Sequence, residues 1–509
     1  IDLNADGITN NDDLDEHEGV NHLQNLPFAR PVMRLDGSRA VVGSLHSKPN
    51  MLSRLEFFDN ETADSSRFGE GQTFINPLHA TTNADGNAFF TLPLATPLAG
   101  GVVTATATNT SGSTSEFSCA ISEIGINHDG MVFGVTSTDD SGPGTLREAI
   151  NRANSNTGKD VIVFCLPGTG TQTILLEEAL PAISDPVIID ASTQNGAACN
   201  SMELESGSNA ELLVELSGAN MPMETHGLTI LAGGSTVRGL VINRFSGSGI
   251  HIEQAGGNRI ECSLLGTNTE GDAAFANGMG ITIQDSADNL VGGTEADKRN
   301  VISGNSATGV AIKGEGATGN VVDGNLIGTN ASGTSAVANV VGVQISDATQ
   351  NFVGGVTGNV ISGNSEDGVK INDTLVAGEA ANNVVLNNLI GADVSGTTEV
   401  PNLRGVRILD AELNQVGGVP ADSTELMGNV ISGNTETGII IAGIDARENI
   451  VQGNLIGTTV TGKQELPNGF DGVSLGAGSR SNRIGGTAPG AGNVVSGNLG
   501  DGIRLHGNE

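Results

Sequence analysis

A short motif, Asn-Φ-Φ-x-x-Asn with Φ apolar, recurs through the second half of this chain and constrains its fold more than any other feature. It stands at Asn300-VISG-Asn305, Asn320-VVDG-Asn325, Asn359-VISG-Asn364, Asn383-VVLN-Asn388, Asn429-VISG-Asn434, Asn449-IVQG-Asn454 and Asn493-VVSG-Asn498, with a degenerate copy at Asn258-RIEC-Ser263. Interleaved with it is Gly-Φ-x-Φ, beginning at Gly249, Gly280, Gly309, Gly342, Gly368, Gly405, Gly438, Gly472 and Gly502. Their spacing sets a mean of about 32 residues per coil. From Asn300 the first asparagines lie 20, 39, 24, 46, 20 and 44 residues apart, which reads as compact turns alternating with expanded ones. Taken in pairs the gaps are 59, 70 and 64, a double-turn period of about 64 residues. The expanded turns carry a Leu-Ile-Gly-Thr extension whose Gly-rich loop ends at Asn277, Asn339, Asn402 or Asn468, and a Val-Gly-Gly turn at Val291, Val353 or Val416, with Ile484 in the last.

Apolar strands of three to five residues, punctuated by Gly and Asn and without a 3.6-residue period, describe a parallel β-solenoid. The two Φ positions of Gly-Φ-x-Φ face inward and stack on the next coil at about 4.8 Å. Asn at the strand ends tolerates left-handed backbone, and stacked side-chain amides bond up the column. Each repeat Asn is therefore read as a rung of a structural ladder.

The segment before the repeats differs. Val135-TSTDDSGPG-Thr145 leads into Leu146-REAINRANS-Asn156, an amphipathic helix, followed by strands at Asp160-VIVF and Pro186-VIID. A helix at the open end of a parallel solenoid covers unpaired backbone, so this one is expected as a cap. These residues, with the Asn-Val-Ile-Ser-Gly-Asn and Asn-Leu-Ile-Gly-Thr copies, resemble large bacterial secreted and cell-surface proteins with right-handed parallel β-helix repeats, from about Gly134 to Glu509. The resemblance implies a pectate-lyase-like superfold, which is shared by enzymes, adhesins and structural surface proteins. Residues 33–122 hold strand-like runs at Val41-VGSLHS, Arg54-LEFFD, Gln72-TFINPL, Asn87-AFFTLPL and Val102-VTATATN, and resemble immunoglobulin-like (Ig-like) modules of such proteins. The fold class expected is mainly β: a right-handed parallel β-helix with an N-terminal helical cap, preceded by an Ig-like β-sandwich. The divisions are 1–32 as a calcium-loop linker, 33–122 as the sandwich, 123–218 as cap and first coils, and 219–509 as the repeats.

The N-terminus carries a metal pattern. Asp2, Asn4, Asp6, Asn10 and Asp13 place side-chain oxygens at loop positions 1, 3, 5, 9 and 12, the backbone carbonyl of Ile8 falls at 7, and Gly7 at 6 permits the bend. Hard Ca²⁺ takes six to eight oxygens, so this loop is expected to hold Ca²⁺ as a clip between domains. It resembles dockerin-type, EF-hand-like loops, with Asp13 where those have a bidentate Glu. Histidines are scattered, which gives zinc no support.

Charge narrows the partners. With 58 Asp+Glu against 23 Lys+Arg, the net charge of −35 excludes electrostatic attraction to nucleic acid or an anionic membrane. No apolar run reaches the roughly 20 residues that span a bilayer, so no direct membrane insertion is expected. The four cysteines, Cys119, Cys165, Cys199 and Cys262, form no CxxC pair, and their pairing stays open. The last repeat stops at Glu509 without a capping segment, so its edge is expected to continue into further chain or to stack end to end on a partner.

Catalysis has one candidate row. The outward x of Gly-Φ-x-Φ runs His251, Thr282, Ala311, Gln344, Lys370, Arg407, Ile440, Ser474, Arg504. Beyond the strands come Asp347, Asp373 and Asp410 in consecutive coils, with Asp285 further back. Such carboxylates could hold Ca²⁺ while Lys370 or Arg407 acts as base in a polysaccharide lyase, or could act as acid and base in a glycoside hydrolase. Against this, the chain has no Trp or Tyr and only 14 Phe with which to stack sugar rings. The expected function is an extracellular or cell-surface structural or adhesive β-helix, with polysaccharide or cell-surface components as partners. The alternative is a Ca²⁺-dependent lyase or hydrolase of an extracellular polysaccharide.

Overall fold

The computed structural model describes residues 11–12, 20–34, 36–63, 68–122, 130–374, 380–418 and 427–506. The expected calcium ligands Asp2, Asn4, Asp6, Ile8, Asn10 and Asp13 lie outside them, and Ca²⁺ binding there is a proposal resting on sequence spacing. The chain forms two compact units, 1–197 and 198–509.

In the first unit, period-2 alternation produces two antiparallel sheets. One joins Phe28–Met33, Arg39–His46 and Asn87–Leu94; the other joins Thr73–Thr81, Leu52–Asn60, Val102–Asn109 and Ile121–Ser122. Asn87–Leu94 shows the pattern clearly, burying Ala88, Phe90 and Leu92 and turning the residues between them outward. Ala29, Val41, Leu45, Leu55, Phe57, Phe90, Leu92 and Val103 make one core, with Phe57 edge-on to Phe90 at 5.3 Å. The strands Val132–Val135, Asp160–Phe164 and Val187–Asp190 then pair in parallel.

Helix α1, Leu146–Ser155, starts at Thr145, whose hydroxyl accepts the Glu148 N–H, while the Glu148 carboxylate reaches back to the Gly144 N–H at 2.6 Å. That reciprocal cap satisfies donors the first turn leaves open. Its buried face is Leu146, Ala149, Ile150 and Ala153, and it packs on the strands Val132–Val135 and Asp160–Phe164. A Cys119–Cys165 disulfide lies within this unit.

The second unit is a parallel β-helix, with three parallel sheets among the described residues. The first carries Gly-Φ-x-Φ, from Leu228–Ile230 to Ile503–Leu505; the second runs from Thr236–Arg238 to Arg483–Ile484, and the third from Val214–Ser217 to Val494–Val495. Ile250, Ile281, Val310, Val343, Val369, Val406, Ile439 and Val473 stack in register inside, each wholly buried. At about 1.5–3 kcal/mol per buried aliphatic side chain, such columns are the main drive for stacking. Cys199 is bonded to Cys262.

The reading of compact and expanded turns needs correction. Asn300, Asn359, Asn429 and Asn493 precede third-sheet strands, whereas Asn320, Asn383 and Asn449 precede second-sheet strands. A 20-residue gap therefore runs from one face to another, not around a coil. Partner positions on the first sheet lie 22 residues apart at Leu228 and Ile250, and 26–37 apart from there on. The two faces share one local chemistry, an Asn before two β-branched residues, so spacing alone cannot separate them. On the third sheet, Val-Ile strands such as Val301–Ile302 and Val360–Ile361 alternate with Leu-Ile strands such as Leu326–Ile327 and Leu389–Ile390. The coils whose third-sheet strand begins with Leu, from Leu264–Leu265 to Leu455–Ile456, project loops closed by the bridges Thr267↔Ala274, Thr329↔Ala336, Ala392↔Glu399 and Thr458↔Glu465.

Three asparagine ladders hold the coils together. One runs through Asn258, Asn289, Asn320, Asn351, Asn383, Asn414, Asn449 and Asn482. A second runs through Asn300, Asn325, Asn359, Asn388, Asn429, Asn454 and Asn493. The third takes Asn277, Asn305, Asn339, Asn364, Asn402, Asn434, Asn468 and Asn498, so the loop-end asparagines alternate with those of Asn-Φ-Φ-x-x-Asn. Asn359 shows the rung chemistry. Its N–H and Nδ2 donate to Asn388 Oδ1 at 3.0 and 2.9 Å and Nδ2 also to Val322 O at 2.7 Å, while its Oδ1 accepts both donors of Asn325 at 3.0 Å. Because Asn359 is wholly buried, Asn359→Ala leaves several polar groups unsatisfied and is expected to cost roughly 2–5 kcal/mol. Urea unfolding followed by circular dichroism measures this; a loss below about 0.5 kcal/mol contradicts the ladder's role.

Candidate functional site

The outward column expected from Gly-Φ-x-Φ forms, with His251, Thr282, Ala311, Gln344, Lys370, Arg407, Ile440, Ser474 and Arg504 successive register partners. The aspartates beyond it reach forward into turns. Asp347 accepts the Thr374 N–H at 2.6 Å as well as its hydroxyl, Asp373 accepts the Ala380 N–H, and the Asp410 carboxylate lies where a Cβ on Gly443 would come within 2.1 Å. Asp285 accepts the Gly316 N–H at 3.3 Å. Arg407 turns to Asp367, Nη2 to Oδ2 at 2.6 Å, and Arg404 holds the other oxygen at 2.6 Å; Asp367 is wholly buried. Lys370 sits between Gln344 and Arg407 in register. Among the described residues, no three or more acidic, His or Cys side chains converge to hold a metal.

A concave feature lies elsewhere on the same face, over the first coils. A groove of about 640 Å³ is lined by Glu224, His226, Ser248, His251, Met279, Thr282, Gln284, Ala307 and Lys313, among others. That volume falls in the range of small-ligand sites, about 300–1,000 Å³. The local sequence explains it. Only 22 residues separate Leu228 from its partner Ile250, so the shortest coil lies beside longer ones. Where the third ladder would begin stands Phe245, wholly buried, its N–H donated to Asn277 Oδ1 at 3.1 Å. Gly247 is required beside it, since a Cβ there would stand 2.7 Å from both His226 Nδ1 and Thr225 O.

His226 and His251 stack with ring centroids 4.5 Å apart at 13°. His226 Nδ1 accepts the Ser248 N–H at 2.9 Å, which places the proton of the neutral ring on Nε2. His251 Nε2 lies 3.6 Å from Glu253 Oε2, and its buried Nδ1 has no hydrogen bond. Burial holds both imidazoles below the ordinary histidine range. The partner ring adds to this for His226 and Lys313 adds to it for His251, while Glu253 opposes it in both. Lys313 Nζ has Met279 Sδ as a neighbour at 3.7 Å, and burial draws its ammonium below the ordinary lysine value. Ser248 and Thr282 share a hydroxyl hydrogen bond of 2.8 Å on the groove floor. The arrangement places two imidazoles, a cation, hydroxyls and the Gln284 amide in a half-open trough.

Sequence reasoning placed His251 and Thr282 in the outward column but missed His226, Met279 and Lys313 as their neighbours. The available signal was the irregular Ser246-Gly-Ser-Gly249, which follows a phenylalanine where later coils carry Asn.

No family model and no curated protein matches this chain. Among solved structures, it is similar to the family 28 exopolygalacturonase of Yersinia enterocolitica at 9% identity and a TM-score of 0.29, covering 94% of this chain and 98% of that one. Tailspike protein 3 of bacteriophage CBA120 matches at 11% identity and a TM-score of 0.28, over 70% of this chain and 58% of the tailspike. The periplasmic alginate epimerase AlgG, as a double mutant, matches at 13% identity and a TM-score of 0.20, over 68% and 76%. Likenesses at TM-scores this low carry no functional assignment to this chain.

The histidine pair makes a stability prediction. A histidine depressed by folding binds fewer protons folded than unfolded, so its stabilising contribution is complete above the ordinary value near 6.5 and is lost as pH falls through it. On moving from pH 7.5 to 5.5, the wild type should lose stability relative to a His226→Gln/His251→Gln double variant in thermal unfolding. A constant difference between the two across that range contradicts the assignment.

Proposed function

We propose that this chain is an extracellular β-helix protein that binds a polysaccharide in the groove between Glu224 and Lys313. The observation that carries this reading is the groove itself, a trough on a parallel sheet whose walls present hydrogen-bond donors and acceptors. Rigid strands hold such groups at fixed spacing, which lowers the ordering cost of binding a chain of hydroxyls. Polysaccharide capture is compatible with the adhesive role expected from the repeats.

The extracellular placement is supported by the cysteines. All four are joined, Cys119 to Cys165 and Cys199 to Cys262, and disulfides persist in oxidising compartments. Among the described residues no helix is long and apolar enough to cross a membrane.

Retention of the full chain on a panel of immobilised polysaccharides, both neutral and acidic, tests the proposal. At least one should bind, Ala307→Trp should weaken it tenfold or more by filling the trough, and Lys370→Gln should leave it within about twofold. If Lys370→Gln abolishes retention while Ala307→Trp does not, the site is the aspartate row and the groove reading is wrong. If nothing on the panel is retained, the proposal falls.

A further inference from the structure

Resting on the groove assignment, we infer that the trough selects a sugar unit bearing a negative charge, a carboxylate or an ester sulfate, and seats that charge against Lys313. Charge balance points to Lys313. In a chain with 58 acidic and 23 basic side chains, a cation normally finds a carboxylate, and others in this unit do. Arg238 lies beside Glu261 and Asp297, Arg244 beside Glu215, Lys298 beside Glu295, and Arg447 beside Glu412 and Asp445.

Among the described residues Lys313 has no such partner; Arg259, Lys370, Lys463 and Arg483 have none either, but of these five only Lys313 lines the groove. The neighbour of its ammonium is the thioether of Met279 at 3.7 Å. The acidic groups nearest in sequence register are otherwise engaged. Glu253 lies against His251 at 3.6 Å, and Asp285 takes the Gln284 amide at 2.6 Å and the Gly316 N–H at 3.3 Å. Glu224 also lines the groove and makes no ion pair with Lys313 among the described residues. A half-buried ammonium without a counterion has lost hydration and gained nothing in return, which is why burial draws Lys313 downward. An anion entering the trough supplies the missing partner at low local dielectric, where the pairing is strongest.

The surroundings define the rest of the ligand. Thr282 and Gln284, one coil from Lys313, and Ser248, two coils away, supply hydroxyl and amide groups, and the Nδ1 of His226 is committed to the Ser248 N–H, which leaves its proton on Nε2. A charged sugar uses the ammonium and the neutral groups together.

The test compares hexasaccharides on the full chain by isothermal titration calorimetry: cellohexaose as the neutral probe, hexagalacturonate as the carboxylate probe, and a neocarrageenan hexasaccharide as the sulfate probe. At least one anionic probe should bind tenfold or more tighter than cellohexaose, and the better of the two identifies the anion. Lys313→Gln should bring anionic and neutral affinities within about twofold of each other, and Lys313→Arg should restore the preference. Equal affinities in the wild type, or a preference that survives Lys313→Gln, overturn the inference. Binding of cellohexaose that Ala307→Trp removes would then leave the groove proposal standing, whereas the absence of any binding overturns both.

Discussion

The side-chain amide ladder is the interaction on which this molecule depends. Short parallel strands of two to six residues expose many backbone groups at their ends, and the corners between sheets cannot satisfy them through the strand ladders alone. An asparagine at each corner supplies a donor and an acceptor at the repeat distance of the coil, and so bonds both to the backbone and to the copy above it. Coils of 26–37 residues can therefore share one cross-section, since whatever lies between two asparagines need only return to the same rung. The projecting loops of alternate coils, each re-entering the third ladder at Asn277, Asn339, Asn402 or Asn468, show how much insertion this permits.

The groove sits where that constraint begins. Phe245 takes the corner that asparagines hold in later coils, the first coil is the shortest, and Gly247 leaves room for His226 to lie against the backbone. A depression with half-buried imidazoles and an unpaired ammonium results beside an otherwise regular face. Asp347 and Asp373 bond into turns of the regular coils, while imidazoles, hydroxyls and an ammonium line the groove at the irregular coils around Phe245.

Much of the fold was legible from the residues. The double-coil rhythm, the inward columns and the amide ladders all follow from periodicity and from the backbone tolerance of Asn. The two faces that share an Asn-Φ-Φ motif were not separable, because identical local chemistry serves both corners. The site was less legible. His251 and Thr282 could be placed on one column from Gly-Φ-x-Φ alone, but His226 belongs to a loop before its strand, and Lys313 reaches the groove from two coils away. Neither relation leaves a spacing signal. The row of aspartates was visible for the opposite reason: it repeats from coil to coil.

Hydrogen exchange on the full chain, with and without a saturating acidic oligosaccharide, tests the account most directly. Protection confined to the strands Ser248–Glu253, Met279–Gln284 and Thr308–Lys313 and the turns around His226 is the predicted result. Protection centred on Val341–Ser346, Asp367–Asn372 and Arg404–Leu409, with none over the first coils, would contradict it.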